Sequence, residues 1–291
     1  MVTLDQEMVC PAPVPRLNQK PDFQSTLIIQ IPRKISGILY IYRSKSNSFI
    51  QLNRKSMVKS ALVVIDLQED FLPPNGSLAV KDGRSIVSGI VALLNLYKYA
   101  WSFIAATHDW HPSNHILFAS QHGVEPFSEV ELNHPLGAED GAGKTLTRKF
   151  TVWPDHCVQG TLGAMLDPQF NKAFQSLQSR VLTANTKKGY LQDREYYLCL
   201  SDCWQTHHTE LEGLLREAGI SHVVLVGIAY DFCVLHSALD FVRCGFTTYV
   251  VSDLSRPVYP ENNAETEKAY SDAGVVVVKS VQDLPDELFE S

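Results

Sequence analysis

Short apolar runs alternate with helical patterns along most of this chain, and this alternation limits the fold more than any other feature. The apolar runs that predict strands lie at 61–65, 103–106, 180–184, 223–226, 247–251 and 275–278. The patterns that predict helices lie at 86–99, 204–218, 233–243 and 262–273. Strands that are apolar throughout and alternate with helices indicate a mainly parallel sheet with both faces covered. We therefore predict an α/β fold with three layers, α/β/α, around a central and mainly parallel sheet.

The first 57 residues differ from the rest of the chain in charge. They contain eight lysines and arginines against three acids, although the whole 291-residue chain carries a net charge of −7. Neither helical nor strand periodicity is sustained there, so we predict a basic, disordered N-terminal extension over 1–57. An alternative of equal weight is that the protein starts at Met57 and that the segment before it is a translated upstream artefact.

The regular pattern begins near Lys59, and we assign residues 58–291 to one folded domain. Within it, the segment at about 120–150 is rich in Gly, Pro and His and fits no strand of the sheet. Long irregular excursions of this kind are usually functional loops. We therefore predict a loop insertion there.

Composition excludes several classes of protein. The acidic net charge argues against nucleic acid as the main partner, and no apolar run is long enough to cross a bilayer. The chain does not open with the charged and then apolar pattern of a signal peptide. Its six cysteines have no regular spacing, which indicates reduced thiols. We expect a cytoplasmic protein, with a nuclear or peroxisomal location left open.

Cys233 lies where the apolar run 223–226 meets Gly227 and a helical pattern begins, so we expect its thiol at a helix N-terminus. The unpaired backbone N–H groups there carry partial positive charge and stabilise a thiolate, the nucleophilic form of cysteine. The alternative is a small buried core residue, which is the commoner role for a cysteine. The neighbours of Cys233 must decide between the two.

Polar residues follow successive strands, at the sheet edge where parallel sheets bind ligands. Asp66 ends the first apolar run, Lys187 and Lys188 follow the third, and Cys233 follows the fourth. Each alone could be a turn former, a surface charge or a core thiol. An acid, a cation and a thiol at neighbouring strand ends form a coherent set of base, electrostatic stabiliser and nucleophile.

A second group of residues predicts a metal site. Asp109, His111 and His156 offer one carboxylate and two imidazoles, which suit Zn²⁺ or another first-row divalent ion with open positions. Asp-x-His alone is a weak signal. His108 and His115 are further candidate ligands.

Five motifs occur in a fixed order along the domain: VVIDLQEDF at 63–71, DWHP at 109–112, WPDHCV at 153–158, KG at 188–189 and GIAYDFCV at 227–234. Together they resemble the nicotinamidases (pyrazinamidases), which belong to the isochorismatase-like cysteine hydrolases. The similarity runs from about residue 60 to about residue 278. DREYY at 193–197 and the inserted loop look most similar to the fungal members.

The resemblance implies the isochorismatase-like hydrolase fold and the conversion of nicotinamide and water to nicotinate and ammonia, in NAD salvage. It implies a catalytic triad of Asp66, Lys188 and Cys233, with the lysine chosen because it directly precedes a glycine. It also implies an oxyanion hole formed by the N–H groups of Ala229 and Cys233, next to a cis Ile228–Ala229 peptide.

For the metal, the resemblance implies one divalent ion, zinc, held by Asp109, His111 and His156. The pyridine ring would lie between the side chains that match its enclosing positions: Phe71, Trp153 and Phe232. A further histidine ligand of some members has no clear equivalent, since His115 stands closer to His111 than that spacing requires. The N-terminal extension has no counterpart in the compact members.

Two alternatives to a nicotinamidase remain at this point. One is a related amidase that acts on another small amide or ureido compound, although a metal beside an aromatic cage favours a heteroaromatic ring. The other is an inactive relative that only binds a metal or a partner, although no triad residue is missing. We expect nicotinamide as the small-molecule partner, neither nucleic acid nor membrane, and leave a homo-oligomer open.

Overall fold

Six parallel strands form the central sheet, in the spatial order β5-β2-β1-β6-β7-β8. The computed structural model describes residues 58–289, so the predicted extension over 1–57 lies outside the described residues. The strands of the sheet are β1 (Ser60–Ile65), β2 (Phe103–Asp109), β5 (Leu182–Lys188), β6 (His222–Ile228), β7 (Thr247–Arg256) and β8 (Val276–Val278). Two further strands, β3 (Glu129–Asn133) and β4 (Thr147–Thr151), form a separate antiparallel hairpin.

Helices cover both faces of this sheet. They are α1 (Val87–Leu93), α2 (Ala119–His122), α3 (Pro168–Gln175), α4 (Leu211–Glu217), α5 (Cys233–Arg243) and α6 (Asn263–Asp272). None of the helices within 58–289 is long and apolar enough to cross a membrane.

The apolar residues of β1 divide between two cores because successive strand side chains face opposite sides of the sheet. Leu62 and Val64 join the core that contains α1 and α3. Ala61, Val63 and Ile65 join the core that contains α4, α5 and α6. Every residue of β1 is buried, as expected for a central strand with a helical layer on each side. The structure therefore confirms the predicted three-layer α/β/α fold with a parallel sheet.

Two predicted helices are shorter than their sequence patterns. The helix predicted over 86–99 ends at Leu93, and the Asn95 side chain then accepts a hydrogen bond from the N–H of Tyr97 in a turn. The helix predicted over 204–218 starts only at Leu211. Its first half is a loop because the Asp202 carboxylate accepts backbone N–H groups from Trp204, Thr206 and His207.

Three other elements differ from the sequence prediction. Strand β5 continues through Lys188, so the lysine ends the strand and does not follow it. Helix α3 was not predicted, although Asp167 caps it and a proline occupies its first position. The segment at about 120–150, predicted as an irregular loop, contains the β3–β4 hairpin.

Candidate active site

Neighbouring strands bring the polar residues of the sequence motifs to one edge of the sheet. Asp66 directly follows β1, while Asp109 and Lys188 end β2 and β5 and are paired in register. Cys233 is the first residue of α5, after β6. Because β5, β2, β1 and β6 are adjacent in that order, these four residues converge in one crevice.

Lys188 lies at the centre of this crevice and is fully buried. Its ammonium donates hydrogen bonds to Asp109 Oδ1 at 2.6 Å and to the Tyr196 carbonyl at 2.9 Å. It lies 2.8 Å from Asp66 Oδ2 and 3.6 Å from Cys233 Sγ. Burial alone would lower the pKa of Lys188, but the Asp109 and Asp66 carboxylates outweigh it and raise the pKa well above its usual range. The lysine is therefore a permanent cation.

Asp66 is a buried carboxylate with one oxygen toward the crevice. Asp66, Asp109 and Cys233 each offer a side-chain atom within 4.8 Å of the others. Burial raises the pKa of Asp66, and the Lys188 cation opposes that rise only in part. A carboxylate with a raised pKa accepts a proton more readily than an ordinary aspartate.

The Cys233 thiol lies at the N-terminus of the 11-residue helix α5 and is 7% exposed. Burial raises the pKa of the thiol well above its usual range, despite the opposing Lys188 charge. The resting thiol therefore keeps its proton, and its attack on a carbonyl requires a base.

Two backbone N–H groups near this thiol have no acceptor. Within residues 58–289, neither Ala229 nor Cys233 donates its N–H to a hydrogen bond, whereas the neighbouring Tyr230, Phe232 and Val234 do. The Ile228–Ala229 peptide is cis, as the resemblance implied. Free donors beside a nucleophile can stabilise an oxyanion.

The three predicted metal ligands are buried and face one another. Asp109, His111 and His156 each offer a ligand atom within 4.8 Å of the other two. His111 Nδ1 lies 2.9 Å from the Gly189 carbonyl, and His156 Nδ1 lies 2.7 Å from the Pro154 carbonyl. A carbonyl only accepts hydrogen bonds, so both Nδ1 atoms carry the proton and both Nε2 lone pairs are free.

The rest of the donor set also fits a divalent cation. The two carboxylate oxygens of Asp109 have different partners. Oδ1 accepts a hydrogen bond from Lys188, and Oδ2 lies at 3.6 Å from His111 Nε2. Burial would raise the pKa of Asp109, but the Lys188 cation holds it well below its usual range, so the carboxylate is charged. Gly189 is required here because a Cβ would lie 2.4 Å from the His111 ring. One carboxylate and two oriented imidazoles suit zinc or a similar ion.

The side chains of Gln68 and Asp70 bind the backbone at, or next to, two of the predicted metal ligands. Gln68 Oε1 accepts the Asp109 N–H, and Gln68 Nε2 donates to the Asp109 and Ala164 carbonyls, all at 2.8–2.9 Å. Asp70 Oδ2 accepts the N–H of Cys157 at 2.7 Å, next to His156. Cys157 is buried and belongs to no cluster of potential metal ligands among the described residues.

A pocket opens onto the thiol and onto two of the predicted metal ligands, Asp109 and His156. The predicted aromatic residues all line it: Phe71, Trp153 and Phe232. The rings of Trp153 and Phe232 meet edge to face at 4.9 Å, and Trp153 Nε1 donates to Tyr197 Oη at 3.0 Å. Rings fixed in this way provide flat apolar walls, which suit a planar aromatic ligand.

Sequence reasoning missed several residues that line this pocket. Tyr197 and Val258 contribute to its walls, and Glu195 adds a buried carboxylate. Burial raises the pKa of Glu195 to about 7. DREYY at 193–197 was noticed only for its resemblance, yet an acid directly before two tyrosines could have suggested a site residue.

The two extra histidine candidates lie in different places. His115 forms a second potential ligand group with His111 and Glu195, but its Nε2 donates to the Arg194 carbonyl at 3.0 Å and its ring packs 4.1 Å from that of His111. His108 belongs to no group of potential ligands in the part of the chain that the structure describes.

Comparison with known proteins finds a family model and curated relatives that match this chain. The family model described as the isochorismatase domain matches residues 60–282. The nicotinamidase of Saccharomyces cerevisiae is 35% identical to this chain over 201 residues, which cover 68% of this chain and 88% of the yeast protein.

Solved structures of a nicotinamidase and a pyrazinamidase are also similar to this chain. The crystal structure of the yeast nicotinamidase Pnc1p bound to the inhibitor nicotinaldehyde has a TM-score of 0.69 and 32% identity, and the match covers 75% of this chain and 99% of that one. The pyrazinamidase of Pyrococcus horikoshii in complex with zinc has a TM-score of 0.55 and 27% identity, with 76% and 98% covered.

Proposed function

The chain belongs to the isochorismatase family, and on that premise we propose that it hydrolyses nicotinamide to nicotinate and ammonia, a step of NAD salvage, with Cys233 as its nucleophile. The observation that carries the proposal is the position of Lys188 Nζ, 2.8 Å from Asp66 Oδ2 and 3.6 Å from Cys233 Sγ. The buried Lys188 cation therefore contacts both the proposed base, Asp66, and the thiol of Cys233, which lines an aromatic pocket.

The first half of the reaction forms a thioester on the enzyme. Asp66 Oδ2 takes the proton of the Cys233 thiol, and Sγ bonds to the amide carbon of the substrate. The carbonyl oxygen becomes an oxyanion, which the N–H groups of Ala229 and Cys233 stabilise by about 3 kcal/mol each. Asp66 then gives the proton to the departing nitrogen, the C–N bond breaks and ammonia leaves.

The second half restores the thiol. Asp66 takes a proton from a water molecule, whose oxygen bonds to the thioester carbon, and the same two N–H groups hold the oxyanion. The C–S bond then breaks, Asp66 returns its proton to sulfur, and the acid leaves as nicotinate after losing the second proton of the water to solvent. Throughout, Lys188 stays charged and stabilises the carboxylate and the thiolate in turn.

We propose zinc as the ion that Asp109, His111 and His156 hold. The two imidazoles and one carboxylate favour it, and the related pyrazinamidase of Pyrococcus horikoshii was solved in complex with zinc. When bound, such an ion supplies a Lewis acid for a pyridine nitrogen. Phe71, Trp153 and Phe232 orient the ring beside it.

We propose the reducing cytoplasm as the compartment. The five cysteines within residues 58–289 are all free thiols: Cys157, Cys199, Cys203, Cys233 and Cys244. Free thiols in such number are typical of reducing compartments.

The test is ammonia release from nicotinamide by the purified, metal-loaded protein and by Cys233→Ala. We expect turnover by the wild type and a loss of at least ~10⁴-fold in the variant, because removal of a nucleophile disables the whole triad. Cys244→Ala is the matched control, since Cys244 lies at the far end of α5 and should retain full activity.

Turnover that survives in Cys233→Ala would refute the nucleophile assignment. A wild-type protein that releases no ammonia from nicotinamide, but does so from another carboxamide or ureido compound in a substrate panel, would refute the assigned substrate.

A further inference from the structure

We propose that Thr107 is a positioning residue, whose hydroxyl holds the Asp66 carboxylate in the orientation that receives the Cys233 proton. This inference rests on the proposed function. Thr107 does not line the pocket and would therefore act on the reaction only through Asp66.

The hydroxyl of Thr107 makes two hydrogen bonds to the same residue. It donates to Asp66 Oδ1 at 2.6 Å and accepts the backbone N–H of Asp66 at 3.1 Å. Both residues are fully buried, so water does not compete for either bond. The hydroxyl proton is thereby committed to one carboxylate oxygen.

The two oxygens of Asp66 consequently differ. Oδ1 is occupied by Thr107, whereas Oδ2 lies 2.8 Å from Lys188 Nζ and accepts no hydrogen bond within the described residues. Oδ2 is therefore the oxygen with room for the thiol proton. Without the hydroxyl, Oδ1 would be a buried acceptor with no donor, and the carboxyl group could rotate or hold its proton on the wrong oxygen.

The backbone of Asp66 adds a second reason for the contact. Asp66 has a φ of +45°, a left-handed conformation that L residues rarely adopt. Its N–H donates to the Thr107 side chain directly after the last residue of β1. The hydroxyl thus holds both the main chain and the side chain of the base.

The neighbouring strand provides a matched control. Thr186 of β5 is paired in register with Thr107 of β2, and each lies two residues before a charged residue of the crevice. Both threonines are fully buried, but the Thr186 hydroxyl has no hydrogen-bond partner within residues 58–289. The same substitution at the two positions therefore separates the hydrogen bond to Asp66 from the effect of a buried methyl group.

The experiment measures kcat and KM for nicotinamide, together with metal content, for the wild type, Thr107→Val, Thr107→Ser and Thr186→Val. We expect kcat of Thr107→Val to fall by about 10- to 100-fold, as for other buried hydrogen bonds to a charged group, with KM and metal content unchanged. Thr107→Ser keeps the hydroxyl and should recover most of kcat. Thr186→Val should match the wild type.

Four results would overturn the inference. They are a kcat of Thr107→Val within threefold of wild type, an equal loss in Thr186→Val, no recovery in Thr107→Ser, and metal loss in Thr107→Val, which would place the effect at Asp109. Thr107→Ala decides by the same criteria if the valine variant does not fold. An inactive wild type would instead refute the proposed function, and this inference with it.

Discussion

Two regions of the molecule each pair a lysine with carboxylate groups, but the two regions differ in burial. In the crevice, Lys188 lies 2.6 and 2.8 Å from two carboxylates, and all three side chains are nearly or fully buried. On the outer face of α6, Lys268 lies 2.5 Å from Asp272, with both side chains more than 60% exposed. The distances are alike, but only the first group has lost its hydration.

The difference in burial decides what each ion pair does. Exposed pairs contribute roughly 0–1 kcal/mol to stability because water solvates the separated charges almost as well. In a buried group each charge depends on its partners, since removal of one leaves the others without compensation. The crevice therefore keeps its charges in fixed positions at a cost in folding energy, and the proposed mechanism uses those fixed charges.

The largest expected effect comes from Lys188→Met. Asp66 and Asp109 would lose their cation, so we expect turnover to fall by at least ~10³-fold and the free energy of unfolding to fall by about 3–5 kcal/mol. Denaturant unfolding and ammonia release measure the two losses. Lys268→Met is the control and should change stability by less than about 0.5 kcal/mol; equal losses in the two variants would contradict the comparison.

Asp109→Asn tests the carboxylate that binds Lys188 and that we propose as a metal ligand. The amide can still accept from Lys188, but it offers the ion no negative charge, so we expect the metal dissociation constant to rise by about 100-fold or more. Competition with a chromogenic chelator measures this constant without any substrate. Asp272→Asn should leave it unchanged. Metal affinity that survives in Asp109→Asn would remove this residue from the ligand set.

His236 extends the comparison to a half-buried group that stays neutral. Burial and then the Lys188 charge lower the pKa of His236 to about 4, and its ring stacks on Tyr197. In the unfolded chain a histidine titrates near 6.5, so the unfolded state binds the extra proton between about pH 6.5 and pH 4. This histidine should therefore lower the stability as the pH falls through that window.

The measurement is denaturant unfolding of the metal-free protein at pH 7 and pH 5. We expect His236→Gln to lose less stability than the wild type on acidification, by of the order of 1–2 kcal/mol. The exposed His208 provides the control, since His208→Gln should show the acid sensitivity of the wild type. An unchanged pH dependence in His236→Gln would mean that this ring is protonated in the folded state.

Hydrophobic periodicity predicted the architecture well because buried parallel strands are apolar throughout. The motifs named the residues that the structure gathers around Lys188, but only the resemblance assigned a role to Phe71, Trp153 and Phe232. The helix predicted from Trp204 failed because a local pattern does not reveal that the Asp202 carboxylate will bind the backbone after it. Glu195 and Thr107 were missed for a similar reason, since their contacts come from other strands and loops.

The hydrogen bonds of Gln68 limit which side chains can occupy position 68. One end of its side chain must accept the N–H of Asp109 while the other donates to two carbonyls. A carboxylate would set negative oxygen against those carbonyls, an aliphatic side chain would leave three backbone groups unpaired, and asparagine is one methylene shorter. Of the twenty side chains, glutamine alone meets both demands at this reach. A substitution at position 68 is therefore expected to move the end of β2, and with it the Asp109 carboxylate, although Gln68 itself does not line the pocket.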